Sequence, residues 1–200
     1  MNVYENNPGK WIFAYLESSN LTTLYNDSYL EEKPKNYYDP TVLKIRENFV
    51  KTNCNISKSF DYGCGRNPFH IKNGISECIG MWDRYAKEFN IFNRETYFNS
   101  ETLLLFDVLE HFHDPLSFLT TLHHNKVIMT VPVFPKNLTK IEDVFGWKHY
   151  RPEQHFCYFT KEGIIELCEQ AQWNVVYYGY DECKQCGGPR EDIASIILTR

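Results

Sequence analysis

Asp61-Tyr62-Gly63-Cys64-Gly65 is the stretch whose reading decides the fold. It follows a short strand-like run that begins at Ser57 and ends in Phe60. An acid and two glycines then occur within five residues. Glycine tolerates positive φ, so the chain can turn sharply there, and the missing side chains let backbone come close to a ligand. Working outward, a second short run, Glu77–Met81, ends at Asp83. A third, Thr102–Phe106, runs into Asp107-Val108-Leu109-Glu110-His111. Three strands that each deliver a polar group at the carboxyl end describe an open α/β sheet with its ligand at that end.

The same alternation continues along the chain. Strands are predicted at Ser57–Asp61, Glu77–Met81, Glu95–Phe98 (a weak one), Thr102–Phe106, Lys126–Val131, Trp173–Tyr178 and Ile193–Leu198. Helices are predicted after Asp39-Pro40, near Tyr85–Phe89, at Pro115–His124 and at Thr160–Gln170. Asp39 and Thr160 are the expected N-caps, with Pro40 in the first helical position. Val42, Ile45, Phe49 and Val50 share one face of the first helix. Strands alternating with helices imply a mostly parallel sheet covered on both faces. The last two strands, joined through Gly179–Asp192, read as an antiparallel pair at one edge.

Composition limits the class. With 200 residues the chain can bury one sizeable core, and 42% hydrophobic with 24% charged residues is ordinary for a folded domain. No apolar run approaches the roughly 20 residues that span a bilayer. No basic and apolar leader is visible at the start, so a cytoplasmic location is expected. An odd count of 7 cysteines fits a reducing compartment better than a disulfide framework. A net charge of −5 argues against non-specific nucleic-acid binding, which needs a basic surface. Residues 1–52 are rich in aromatics and are expected to form an arm and helix that lid a main domain at 53–200.

Asp61-Tyr-Gly-Cys-Gly65 resembles the first motif of class I S-adenosylmethionine-dependent methyltransferases. Gly80-Met-Trp-Asp83 is similar to the acidic end of their second strand. Asp107-Val-Leu-Glu-His111, with Asp114-Pro115 and Phe118-Leu119, resembles the D-x-L-E-H-x-x-D-P segment of the branch that includes ubiquinone-biosynthesis O-methyltransferases. Ile128-Met-Thr-Val-Pro132 and Glu153-Gln-His155 with Tyr158-Phe-Thr160 extend the likeness over residues 57–200. The resemblance implies a Rossmann-like fold: a seven-stranded, mostly parallel sheet, an antiparallel last strand, helices on both faces and some connections trimmed. It also implies S-adenosylmethionine as cofactor and a small-molecule or biosynthetic acceptor. Asp61, Gly63, Cys64 and Gly65 would then line the methionine part. Asp83 would hold the ribose, Trp82 or Arg84 would border the adenine, and Asn99 would meet the adenine edge. Phe106 and Asp107 would face the sulfonium. The connections at Arg66–Gly74 and Arg84–Arg94 are short for the family.

A methyl acceptor that is a hydroxyl needs a base, and histidine is the usual choice. His111, His149 and His155 are the candidates, whereas His113, His123 and His124 are expected to be solvated beside a surface helix. Asp107, Glu110, His111 and His155 also resemble the ligand set of metal-dependent small-RNA 2′-O-methyltransferases, and mixed carboxylate and imidazole suits a divalent ion. A metal-free site is preferred, with Glu110 and His111 shaping the turn. A non-catalytic, partner-binding protein on the same fold is the other alternative. Tyr25 and Tyr29 are the N-terminal candidates for ligand contact, and Trp147-Lys-His-Tyr-Arg151 for the acceptor. Cys183-Lys-Gln-Cys186 offers two of the four ligands zinc needs, so a hairpin loop with Gly187-Gly188 at its turn is preferred.

Overall fold

The computed structural model describes residues 2–7, 10–15, 40–65, 71–72, 75–84, 92–134, 145–151, 154–182 and 191–200. The chain opens with a hairpin, β1 (Asn2–Asn7) and β2 (Lys10–Tyr15). Next come α1 (Pro40–Asn53), β3 (Ser59–Tyr62) and a two-stranded hairpin of β4 (Ile71–Lys72) and β5 (Ile75–Ser76). β6 (Gly80–Trp82), α2 (Arg94–Asn99), β7 (Thr102–Phe106), α3 (Pro115–Thr121) and β8 (Lys126–Pro132) follow. The chain ends with α4 (Lys161–Gln170), β9 (Asn174–Gly179) and β10 (Ile193–Thr199).

The main sheet has the order β6-β3-β7-β8-β10-β9. β6, β3, β7 and β8 are parallel, and β10 runs antiparallel to both β8 and β9. The register pairs Ser59 with Thr102 and Thr102 with Lys126 at one end. At the other end Tyr62 meets Trp82 and Phe106 meets Thr130. Gly63, Asp83 and Asp107 therefore all leave the sheet at its carboxyl edge.

β7 shows why the sheet is covered on both faces. All five residues of Thr-Leu-Leu-Leu-Phe are buried. Successive side chains alternate across a strand. Leu103 and Leu105 join Phe60, Met129 and Ile196 in the larger core under Leu119 of α3 and Ile164 and Leu167 of α4. Leu104 and Phe106 join Ile128, Ile197 and Val50 of α1 in the smaller one. Each such leucine contributes about 1.5–3 kcal/mol by leaving water. The helices over the larger core start where local chemistry directs. Asp114 accepts the Ser117 N–H at 2.8 Å ahead of Pro115, and Thr160 accepts the Gly163 N–H at 2.9 Å.

Three expectations are corrected. The main sheet has six strands among the described residues, not seven. The expected strand at Glu95–Phe98 is the helix α2: Asn93 caps it by accepting the Glu95 N–H at 2.8 Å, and Glu95 sits in the first turn. Its aromatics pack, Tyr97 edge-on against Phe60 and Phe98 stacked over His123. His124 is not solvated but 2% exposed, wedged against Tyr97 and His123. Tyr25, Tyr29, Asp39, the expected helix near Tyr85–Phe89 and the Cys183–Cys186 loop lie outside the described residues. Among the described residues no helix is long and apolar enough to cross a membrane.

Candidate active site

The glycine loop is built by close approach. Gly63 and Gly65 have φ of 78° and 63°, in the left-handed region that favours glycine. Gly63 N–H donates to the Trp82 carbonyl at 2.7 Å, and Cys64 N–H donates to the same oxygen at 3.2 Å. A Cβ on Gly63 would lie 2.4 Å from Val108 Cγ2, so only glycine fits. Among the described residues, a Cβ on Gly65 would meet nothing within 4 Å. Gly65 N–H donates to Asp83 Oδ2 at 2.9 Å, which sets the acid of the second strand beside the loop. The loop backbone is thus edged by a carboxylate that can accept hydrogen bonds from the hydroxyl groups of a ligand.

Around that loop, Trp82 rests against Tyr62, with ring centroids 4.8 Å apart. Asp61 is buried, and burial pushes its carboxyl up to about 7, against the pull of Arg46. Burial likewise raises the Cys64 thiol, which removes it as a thiolate nucleophile at neutral pH. Phe106 is buried in the smaller core, with the Arg46 guanidinium 5.1 Å from its ring centre. Asn99 is corrected: it ends α2, ahead of the amino end of β7, on the edge of the sheet opposite Asp83 and Gly65.

Asp107 leaves β7 with φ 56°, a left-handed conformation uncommon for a residue with a side chain. Its N–H donates to the Thr130 carbonyl at 3.1 Å, and its Oδ1 accepts from Thr130 Oγ1 at 3.1 Å. Its Oδ2 accepts from Arg46 Nη2 at 2.5 Å. The same guanidinium forks onto Glu182, with Nε to Oε1 at 2.6 Å and Nη2 to Oε2 at 3.1 Å. Arg46 is 4% exposed and Glu182 5%. Burial alone would raise both acids. Arg46 and Thr130 outweigh it at Asp107, which stays ionised, while Glu182 is held above its ordinary value. Neither Arg46 nor Glu182 stands out in a motif. One signal was present: Arg46 lies four residues from both Val42 and Val50, inside the apolar stripe of α1.

Beyond Asp107 a tight turn, Leu109–His111, carries Glu110 and His111. The Glu110 carbonyl accepts from Phe156 N–H at 2.8 Å and Cys157 N–H at 3.1 Å. That bond docks the turn against the segment bearing His155. Glu110, His111 and His155 each place one potential ligand atom within 4.8 Å of the others. Glu110 is 1% exposed, and its Oε2 has no hydrogen-bond partner; neither has His155 Nδ1. His111 Nδ1 faces the Gln154 carbonyl at 2.7 Å. A carbonyl only accepts, so Nδ1 carries the proton and Nε2 holds the lone pair of the neutral ring. Nε2 is 4.0 Å from Glu110 Oε1. Burial, then His111, push His155 down to about 3, and burial with Asp107 raises Glu110 well above the carboxylate range. His155 is thus a neutral lone-pair donor. Orphaned buried oxygen and nitrogen atoms around a fixed imidazole tautomer fit a divalent ion.

His149 lies apart from this trio. Its Nε2 is 3.7 Å from Asp192 Oδ2, which also pairs with Lys148 Nζ at 2.6 Å. Its ring stands edge-on to Trp147 at 5.0 Å, in a cluster with Phe134, Tyr150 and Tyr158.

Strand order, glycine loop and acid-tipped strands together define the fold of class I S-adenosylmethionine-dependent methyltransferases. The chain is similar to the solved structure of the mitomycin 7-O-methyltransferase MmcR, with TM-score 0.55 and 11% identity over 91% of this chain and 62% of that one. It is also similar to the pyocyanin biosynthetic protein PhzM, with TM-score 0.53 and 12% identity over 86% and 61% of the two chains. The chain therefore spans about three fifths of the length of these two structures. Neither a protein-family profile nor a curated protein sequence matches it.

Proposed function

We propose that the protein binds S-adenosylmethionine at the carboxyl edge of its sheet and transfers the methyl group to a small-molecule, biosynthetic acceptor. The observation that supports this is the Gly65–Asp83 contact on a methyltransferase fold: an open backbone cradle next to a carboxylate at the end of the second strand. When bound, the cofactor supplies an activated methyl on a sulfonium, so the protein's share is orientation and proton handling. Asp83 holds the ribose hydroxyls in this reading, with Trp82 at the adenine. Asp61, Gly63, Cys64 and Gly65 line the methionine part, with Asp107 and the Phe106 backbone beyond them. His111 is the best-placed base, because its Nδ1–H is anchored and its Nε2 is the accepting nitrogen. His155, held near 3 by burial, is a poor base at neutral pH. His149, beside Asp192, stands on the acceptor side with Trp147. The net charge of −5 suits a small acceptor better than a nucleic acid, and residues 1–52 serve as the lid.

Calorimetric titration with S-adenosylmethionine and S-adenosylhomocysteine tests the reading. Micromolar binding is expected, with loss of at least about tenfold in Asp83→Ala, the scale of a buried charged hydrogen bond. No binding to either ligand would overturn it and point to a non-catalytic, partner-binding role.

A second reading is favoured by the convergence of Glu110, His111 and His155: these residues would hold a divalent ion, which would lower the pKa of an acceptor hydroxyl. Two imidazoles and a carboxylate suit manganese, iron, cobalt or zinc more than magnesium or calcium. Activity that survives exhaustive chelation would exclude this reading and leave His111 as the base.

A further inference from the structure

Three donors, two of them buried, converge at Glu110, His111 and His155, yet the acid nearest them along the chain is turned elsewhere. Asp107 precedes Glu110 by three residues. Only Val108 and Leu109 separate it from Glu110, at the carboxyl end of β7. Both its oxygens are nonetheless engaged outside the trio, Oδ1 by Thr130 and Oδ2 by Arg46. The guanidinium that takes Oδ2 is anchored on its other side by Glu182, three residues beyond β9. A planar fork meeting two carboxylates at once is a pairing that arginine makes and lysine does not. Arg46 stands towards Asp107 and Glu182 as a metal ion would, a buried cation neutralising two acids. Asp107 also holds a left-handed backbone, a conformation that persists where the surroundings over-determine it.

We propose that Arg46 is a positioning residue that withholds the Asp107 carboxylate from the Glu110–His111–His155 cluster, so that α1 controls how tightly that cluster holds a divalent cation. This rests on the second reading above. Divalent transition ions take four or more ligands; three protein donors leave positions to water, and a further carboxylate in one of them would tighten the site. Release of Asp107 from Arg46 supplies that ligand. Cation affinity thereby becomes coupled to the seating of α1 and of the segment after β9.

The test is Mn²⁺ binding to the full chain by calorimetry, with circular dichroism as a check of folding. Arg46→Gln is expected to bind Mn²⁺ about tenfold or more tightly than the parent, the scale on which residues that orient ligands act. The gain is expected to vanish in Arg46→Gln with Asp107→Asn. Arg46→Lys, which keeps the charge but loses the fork, is expected to fall between. Glu182→Gln should shift affinity the other way, because Arg46 then loses a competing carboxylate and holds Asp107 more firmly, and Asp107→Asn should cancel that loss as well. This variant decides the matter if Arg46→Gln fails to fold. Unchanged affinity in Arg46→Gln beside a parent that binds, or an equal gain in the Asp107→Asn background, overturns the proposal. Mn²⁺ binding untouched by His155→Ala would instead remove the cluster as the cation site. Absence of Mn²⁺ binding in the parent and in Arg46→Gln would remove both.

Discussion

Gly63→Ala and Gly65→Ala look alike in sequence and should behave differently. Both positions have positive φ, so an added Cβ costs about 1–2 kcal/mol of backbone strain at either. At Gly65 nothing among the described residues stands within 4 Å, and the cost ends there. At Gly63 the new Cβ would sit 2.4 Å from Val108 Cγ2 and 3.4 Å from Cγ1, against a buried side chain. Overpacking of this kind adds about 1–3 kcal/mol. Gly63→Ala should therefore lose about 2–5 kcal/mol, a large share of the 5–15 kcal/mol typical of a domain. Urea denaturation followed by circular dichroism measures both variants. Val108→Ala should relieve the clash, giving a coupling energy of about 1–3 kcal/mol with Gly63→Ala in a double-mutant cycle. Gly65→Ala should stay folded but weaken S-adenosylhomocysteine, because its Cβ enters the cradle. Equal destabilisation by the two alanines, or strict additivity of Gly63→Ala with Val108→Ala, would refute the packing argument.

His124 supplies a pH test. Burial and the neighbouring His123 hold it down to about 4 from 6.5, against the opposing pull of the Tyr97 backbone. Between those values the unfolded chain takes up a proton that the folded chain refuses, so stability falls as pH drops through the window, by about 3 kcal/mol in full. His124→Phe should flatten that part of the profile. Asp61, raised to about 7, acts in the opposite sense but is common to both proteins and cancels in the comparison. An unchanged slope would show that His124 is not the group concerned. Trp173→Phe should cost about 2–3 kcal/mol, since it removes the Nε1–H bond to the Leu119 carbonyl at 3.0 Å and leaves a smaller ring in a fully buried site. A thermal midpoint within a degree of the parent would contradict this.

Local chemistry decided most of what was legible in the chain. β7 is a run of apolar residues too short for a helix and bounded by polar groups, and it forms the buried central strand. Asp114-Pro115 and Thr160 carry their helix starts in their side chains, and the structure uses both. The misreading at Glu95–Phe98 is instructive. In sequence the stretch reads as a weak strand, but Asn93 caps a helix there, and among the described residues no strand lies beyond β6.

By itself the sequence determined the alternation of strand and helix, the glycine loop and the acids that tip each strand, because periodicity, caps and positive φ are properties of a few neighbouring residues. Tertiary structure alone decided which polar groups meet. His155 reaches Glu110 and His111 only because the Glu110 carbonyl docks the segment around Phe156. Arg46 reaches Asp107 and Glu182 across 61 and 136 residues of chain. His124 is buried by a helix that the pattern did not foresee. Contacts of that kind depend on how faces of different elements pack, and a charge hidden in an apolar stripe acquires its role only when the strands it crosses are in place.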